Sequence, residues 1–421
     1  MAVRTFLLAL AASAAVSGCG GGSPGPVETA GGEPALRTSM PPSGTVLAVR
    51  GDVDLFHADP KTLAPLDGRR LRLPFAVATS ARSPDGQTIA LASNTTAAIE
   101  LVDLGRLREL RTIDVAWDGT VTAVAWPRPD VLVAVLDGQP GFVVLDPAAG
   151  EAPDVEPLEG TILQTAPAPG GLVVLLGPPD GIGSARLVLV SRDGARTVEL
   201  PSVEAGHAGR GEGESFRLRT LVPALAVEPS GARALVVPPA GPVADVDLET
   251  LAVAMHEARE SVSLLDRLRG WLEPEAEAKL IEGPERHAVW LENGLVAVSG
   301  FDYRLDGNRV RSDPAGAYVL DPRRWLRRSL DDRANGVATA GDALLVLHWP
   351  GEDDRASVAV YGSDGRVRFE LERRGVWMQA TAGLLYLTSN EGEYEVVDLA
   401  TGTTVGRPAF DGPVWLVEAS P

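Results

Sequence analysis

One cysteine, Cys19, stands in 421 residues, so no disulfide can form within the chain. Histidine is scarce and scattered, at His57, His207, His256, His287 and His348, no C-x-x-C-H or H-E-x-x-H segment occurs, and the G-x-S-x-G match at Gly21-Gly22-Ser23-Pro24-Gly25 falls in a Gly/Pro-rich stretch and not on a strand-to-helix turn. Those features exclude a c-type haem attached in the usual way and a helix-borne zinc peptidase site, and they leave no nucleophile elbow of an α/β hydrolase. No paired cysteines and no repeated Asp boxes are present either. Lysine is nearly missing, with only Lys61 and Lys279 among 38 basic residues, a usage that points to a GC-rich genome and not to an activity. Positive charge is short overall: the formal net charge is −19. A chain this acidic is repelled by nucleic acid and by anionic headgroups, so no nucleic-acid partner is expected.

What is present begins with an export signal. Arg4 precedes an apolar run from Phe6 to Val16 that is too short to span a bilayer. It ends in Val16-Ser17-Gly18-Cys19, which resembles the lipobox of bacterial lipoproteins. That resemblance implies cleavage before Cys19 and lipidation of its thiol, the palmitate-bearing diacylglycerol anchor of an exported protein on the bacterial cell membrane. Two acyl chains suffice for stable anchoring where one does not. Residues 19–44 follow as a flexible tether rich in Gly, Pro, Ser and Thr, unable to bury enough apolar surface to order itself. The organisation expected is therefore a signal peptide over 1–18, a lipidated tether over 19–44 and one domain over 45–421.

That domain repeats. Ser83-Pro84-Asp85-Gly86 is a turn, Thr88 to Ala92 alternates as a strand, and a further strand ends at Asp103. Similar strand endings recur at Asp59, Asp146, Asp193, Asp247, Asp321, Asp364 and Asp398. Most of the spacings lie near the 40–50 residues of a four-stranded propeller blade. Short strands at regular spacing predict an all-β fold, here a β-propeller of four-stranded blades. The count of endings gives eight blades, with seven as the alternative. The strand at 414–417 has no blade of its own, and the first blade, at 45–56, lacks an innermost strand. The ring is therefore expected to close by pairing the C-terminal strand with the N-terminal blade.

The SPDG turn, the apolar strand after it and the strand ending Val-Asp-Leu resemble the YVTN and WD40-like propellers of bacteria, most clearly over 83–115 and 393–405. The resemblance implies fold and not activity, since such propellers include binding scaffolds and enzymes.

Departures from the repeat mark the expected functional face. Insertions at 202–220, 257–284 and 301–316, with shorter ones at 177–183 and 349–354, all emerge on the face that carries the second-to-third and blade-to-blade connections. Within 257–284, Val262, Leu265, Leu268 and Leu272 recur at helical spacing, predicting a helical insertion. His207, Arg210, Trp271, Asp302, Tyr303, Arg304, Asp306 and Trp349 form the candidate binding face. Asp302, Asp306, Gly307 and Asn308 lack the D-x-[DN]-x-[DN]-G spacing of a calcium loop, so no metal site is assigned, and the cofactor is unknown. Arg323, Arg324, Arg327 and Arg328 flank Trp325 in a fourth strand. They are read as edge charges guarding against strand pairing, with anion binding as the alternative. The function expected is a membrane-tethered propeller that binds a protein partner or a small-molecule ligand through this face. The alternative is a propeller enzyme, lactonase-like or quinoprotein-like, with its site at the tunnel mouth.

Overall fold

The computed structural model describes residues 42–421 apart from 52, 67, 94, 150–153, 211–216, 261–280, 307–308, 349–354, 375, 382, 390–392, 409–413 and 420–421. The signal, Cys19, nearly all of the tether and the stretch that carries the helical spacing lie outside the described residues. Within them there is no helix; the chain is all-β. Eight sheets, each built on four antiparallel strands, follow one another as the blades of a β-propeller, which settles the count at eight.

The blades fall into two compact units. In the first, blade 1 comprises Val46–Arg50, Asp54–Ala58 and Leu71–Arg72, with Val414–Ala419 added inside Val46–Arg50. The pairing runs antiparallel from Val46 opposite Ala419 to Arg50 opposite Val414. The orphan C-terminal strand is thus the missing innermost strand of the first blade, as expected. Blade 2 is Val77–Arg82, Thr88–Ser93, Ala98–Asp103 and Arg108–Asp114. Blade 3 is Val121–Arg128, Val131–Leu136, Gly141–Leu145 and Glu156–Pro157. Both faces of the middle strands are covered, so Thr88–Ser93 and Val131–Leu136 are buried at every residue. Ile89 and Leu91 pack toward Leu47 and Leu55 of blade 1. Ala90 and Ala92 pack toward Leu132 and Ala134 of blade 3.

The second unit holds five blades. Blade 4 is Thr161–Ala168, Gly171–Gly177, Gly181–Ser191 and Gly194–Arg210, with Arg217–Leu221 added. Blade 5 is Ala224–Val227, Arg233–Val237, Val243–Asp247 and Val253–His256. Blade 6 is Ile281–Trp290, Val296–Asp306, Ala317–Asp321 and Leu326–Asp331, with Arg309–Pro314 and Arg259–Glu260 added. Blade 7 is Gly336–Ala340, Ala343–His348, Arg355–Tyr361 and Val367–Arg374. Blade 8 is Val376–Thr381, Leu384–Ser389, Tyr394–Asp398 and Thr404–Gly406. Of the four arginines expected on an outer edge strand, Arg323 and Arg324 lie instead in the turn before Leu326–Asp331, and Arg328 stands in that outer strand as expected. Arg259–Glu260 pairs in parallel with Leu326–Arg327, so that stretch of the outer strand is already covered.

The recurring Asp builds the turn from third to fourth strand. Asp59, Asp247 and Asp398 each accept backbone N–H groups two or three residues ahead, at 2.7–3.0 Å. Four residues after Asp59, Asp103, Asp247 and Asp321 stand Leu63, Leu107, Leu251 and Trp325, all with φ between 48° and 59°. Positive φ is costly for such side chains. The turn holds them there through hydrogen bonds such as Leu251 N–H to Asp247 O at 2.8 Å. Blade 8 has Gly402 at that position, φ +71°.

Candidate functional site

Two blades run past ordinary strand length at the same end. In blade 4 the third and fourth strands stay paired from Ser191 opposite Gly194 out to Gly181 opposite His207. Arg217–Leu221 then folds back, placing His207 opposite Thr220. The stretch 202–220, expected as a loop, is largely sheet in its described residues. In blade 6 the first and second strands extend until Ile281 lies opposite Arg304, and Arg309–Pro314 returns along 301–306. Both extensions lie where second strands pass to third strands and where blades connect.

The extensions meet. Val222 N–H donates to Pro284 O at 3.0 Å, and Arg286 N–H donates to Val222 O at 2.8 Å. Gly283 sits at the contact with φ +110°, and a Cβ there would lie 1.7 Å from Thr220 O. Only glycine tolerates that approach. Beneath, the Gln164 amide donates to Arg286 O while its carbonyl accepts Leu225 N–H at 2.9 Å. One side chain thereby ties blades 4, 5 and 6 together.

Glu285 is the hub. Tyr303 Oη donates to its Oε2 at 2.8 Å, and His287 Nε2 lies 3.0 Å from its Oε1. Burial alone would raise the Glu285 carboxyl, but hydrogen bonding by His287 and Tyr303 outweighs burial and holds it below the ordinary range. Burial pushes the Tyr303 phenol well up, with the Glu285 charge adding to the effect. His207, whose Nδ1 lies 3.1 Å from Thr220 Oγ1, is pushed down by burial, which Glu285 only partly opposes. Behind this group Arg286 donates to Asp302 Oδ1 at 2.8 Å and to Phe301 O at 2.8 Å. The arrangement is a fixed anion under a phenol and two imidazoles, half-exposed at the tips of the strands.

A second chain of polar groups lies between blades 6 and 7. His348 Nδ1 is 2.5 Å from Ser357 Oγ, its partner across the strands. His348 Nε2 is 2.9 Å from Asp331 Oδ2. Burial acts to raise the Asp331 carboxyl, but the Arg333 N–H and His348 hold it below its usual value. Hydroxyl, imidazole and carboxylate stand in the order of a nucleophile, base and orienting acid.

Of the expected site residues, the structure brings His207, Asp302 and Tyr303 together. Arg304 instead pairs with Asp313 at 3.0 Å on the outer hairpin. Arg210 and Asp306 stand in the extended strands, with side chains outside the described residues, as are Trp271 and Trp349 altogether. Glu285, Arg286 and His287 were missed because the insertion was read as ending at Pro284, one residue short of the hub. The signal in the sequence is a Glu-Arg-His run directly before the apolar Ala288-Val289-Trp290. Among the described residues no three His, Cys, Asp or Glu side chains are placed to hold a metal ion. No described helix is long and apolar enough to cross a membrane.

No family model matches the chain, and no curated protein matches it in sequence. Solved structures match it in fold, in 1338 chains, so the likeness is one of a widespread fold. One is a dihydro-heme d1 dehydrogenase, NirN, solved in complex with DHE: TM-score 0.58, 14% identity, covering 90% of this chain and 77% of that one. Another is BamB from Moraxella catarrhalis: TM-score 0.48, 13% identity, covering 85% of this chain and 94% of that one. At such identity the first likeness establishes the fold alone.

Proposed function

We propose that this protein is an exported propeller, tethered to the bacterial cell membrane by a lipid on Cys19, that binds a partner protein or ligand through the strand extensions of blades 4 and 6. The observation that carries the reading is the meeting of those extensions over Glu285. The repeat alone does not call for overlong strands, and polar groups half-exposed on rigid sheet are suited to recognition. The lipobox-like segment supports the tether. The test is photocrosslinking in intact cells from a benzoylphenylalanine placed at Arg304, beside the hub, with Arg366 as the control on the face of the third-to-fourth turns. One dominant protein captured at 304 and not at 366 is the expected result. Equal capture at both, or none at 304, overturns the reading. Cys19→Ser should shift the protein to the soluble fraction; retention on membranes in high salt would refute the anchor.

A specific observation favours a second reading, a hydrolase. It is the Ser357–His348–Asp331 chain, in which His348 could take the Ser357 proton while ionised Asp331 steadies the ring. A fluorophosphonate probe should then label Ser357, and Ser357→Ala and His348→Gln should both abolish labelling. An unlabelled parent protein removes this reading.

A further inference from the structure

Blades 6 and 7 carry a cleft at the other end of their strands. Four turns surround it, at 291–295 and 321–326 in blade 6 and at 341–344 and 361–365 in blade 7. Its volume is about 410 Å³, inside the range of roughly 300–1,000 Å³ typical of small-molecule sites. Leu291, Leu295, Val319, Leu330 and Leu344 supply apolar wall, and Val319 and Leu344 are buried.

The charges around it are unequally committed. Asp321 accepts the Arg323 N–H at 2.9 Å and lies 3.9 Å from Arg324. Asp342 is taken by Arg368, and Asp364 accepts the Arg366 N–H at 3.0 Å. Arg327 lies 5.6 Å over the Tyr318 ring. Arg328 is left with no carboxylate partner among the described residues. Its guanidinium rests in a notch at Gly365, where φ is +74° and a Cβ would come within 2.8 Å of Nη2. Burial, Asp331 and Glu370 push the Tyr361 phenol up and Arg328 pulls it back, so this cation is felt at the cleft wall.

We propose that this cleft binds an organic anion with an apolar body. The acid head pairs with Arg328 and Arg324, and the body lies on Leu295, Val319 and Leu330. A planar guanidinium already seated against backbone loses little freedom on pairing with a carboxylate. Edge protection does not account for Arg324, which lies in the turn before the strand, nor for Arg327, which Arg259–Glu260 covers.

The test is calorimetric titration of the full chain in detergent with sodium octanoate, and separately with inorganic phosphate. Octanoate should bind saturably at one site, and phosphate should bind at least tenfold more weakly for want of an apolar body. Arg328→Glu should weaken octanoate by about tenfold or more, the scale of a lost charge-assisted hydrogen bond. Ser363→Trp, a change at an exposed turn residue, should close the mouth while leaving the melting curve in place. Arg108→Glu, on an exposed residue of blade 2, should change nothing. Absence of saturable octanoate binding, undiminished binding in Arg328→Glu and Ser363→Trp, or phosphate binding as tight as octanoate would each overturn the proposal.

Discussion

Glu100 in blades 1 to 3 and Glu285 in blades 4 to 8 are two carboxylates held in opposite ways. In the first unit the strands keep to blade length, and a carboxylate caught in the sheet has nowhere to go. Glu100 lies in a strand buried along its whole length, and neither of its oxygens has a hydrogen-bond partner. In the second unit, overlong strands carry Glu285 out to where Tyr303 and His287 satisfy it while it stays reachable from solvent. An unpartnered buried carboxylate only costs stability. A partnered one at a strand tip can exchange its partners for a ligand. The regular blades are therefore expected to govern stability and the irregular ones recognition, and each prediction below tests that division.

The largest effect belongs to the C-terminal strand. Deleting 412–421 removes the innermost strand of blade 1 and opens the edge of Val46–Arg50, whose first four residues are buried. Each large apolar side chain that loses full burial forfeits about 1.5–3 kcal/mol, against a total stability of about 5–15 kcal/mol. The melting midpoint should collapse and size exclusion should show aggregates grown from the open edge. Deleting 23–32 from the tether should do neither. A C-terminal truncation that stays monomeric with an unchanged midpoint would break the comparison at its foundation.

Glu100 comes next. Burial first, and the nearby Glu109 second, push its carboxyl up to about 7 from 4.5. The folded state therefore keeps this proton longer than the unfolded chain does. Below about pH 4.5 both states hold it and nothing is lost. As pH rises from about 4.5 to 7 the unfolded chain ionises first and stability falls; above 7 the loss is complete, at about 3 kcal/mol. Glu100→Gln should flatten that slope and raise the midpoint at pH 8, measured by thermal melts across pH 5 to 8. A parent whose stability is level over that range would show that the first unit does not carry this burden.

How much of this was legible depends on whether the chemistry is local. The turn at Asp59, Asp247 or Asp398 is made by residues within four positions of the Asp, so it recurs in sequence and betrays the blades. The pairing of Val414–Ala419 was legible because a strand without a blade has few places to go. The hub was not. His207 feels the Glu285 charge from another blade, across a junction where Gly283 lies against Thr220. Likewise, Asp331 reaches His348 from the neighbouring blade. Contacts of that kind depend on packing between sheets and leave no spacing to read.

A smaller effect should follow Gly283→Ala. A Cβ cannot sit 1.7 Å from Thr220 O, so the two extensions must part. Strain of this kind costs about 1–3 kcal/mol, and moving the strand tips apart would relieve it without disturbing the apolar core of either blade. The midpoint should fall modestly, while capture of the partner from position 304 should vanish. Unchanged capture would show that recognition does not need the joined extensions.

The smallest effect tests a device shared by both units. Asp59 in blade 1 is held below its ordinary pKa chiefly by the Thr62 N–H, with the Thr62 hydroxyl and Lys61 adding to it against the opposing effect of burial. Asp247 in blade 5 is lowered in the same way by the N–H and hydroxyl of Thr250. A lowered folded pKa reverses the sign found for Glu100. The stabilisation is full above the unfolded value near 3.8 and is lost as pH falls through the lower folded value. Both residues lie at exposed turns, where solvent screens the charge, so each change should be slight. Asp59→Asn and Asp247→Asn keep an acceptor for the turn and should melt close to the parent at pH 7. Their alanine counterparts should melt lower there, and the gap should narrow in strong acid, where the parent loses its carboxylate too. If Asp247→Ala lowered the midpoint much more than Asp59→Ala, the turns of the second unit would be bearing load that the first unit's are not. The division between a stabilising and a recognising region would then have to be redrawn.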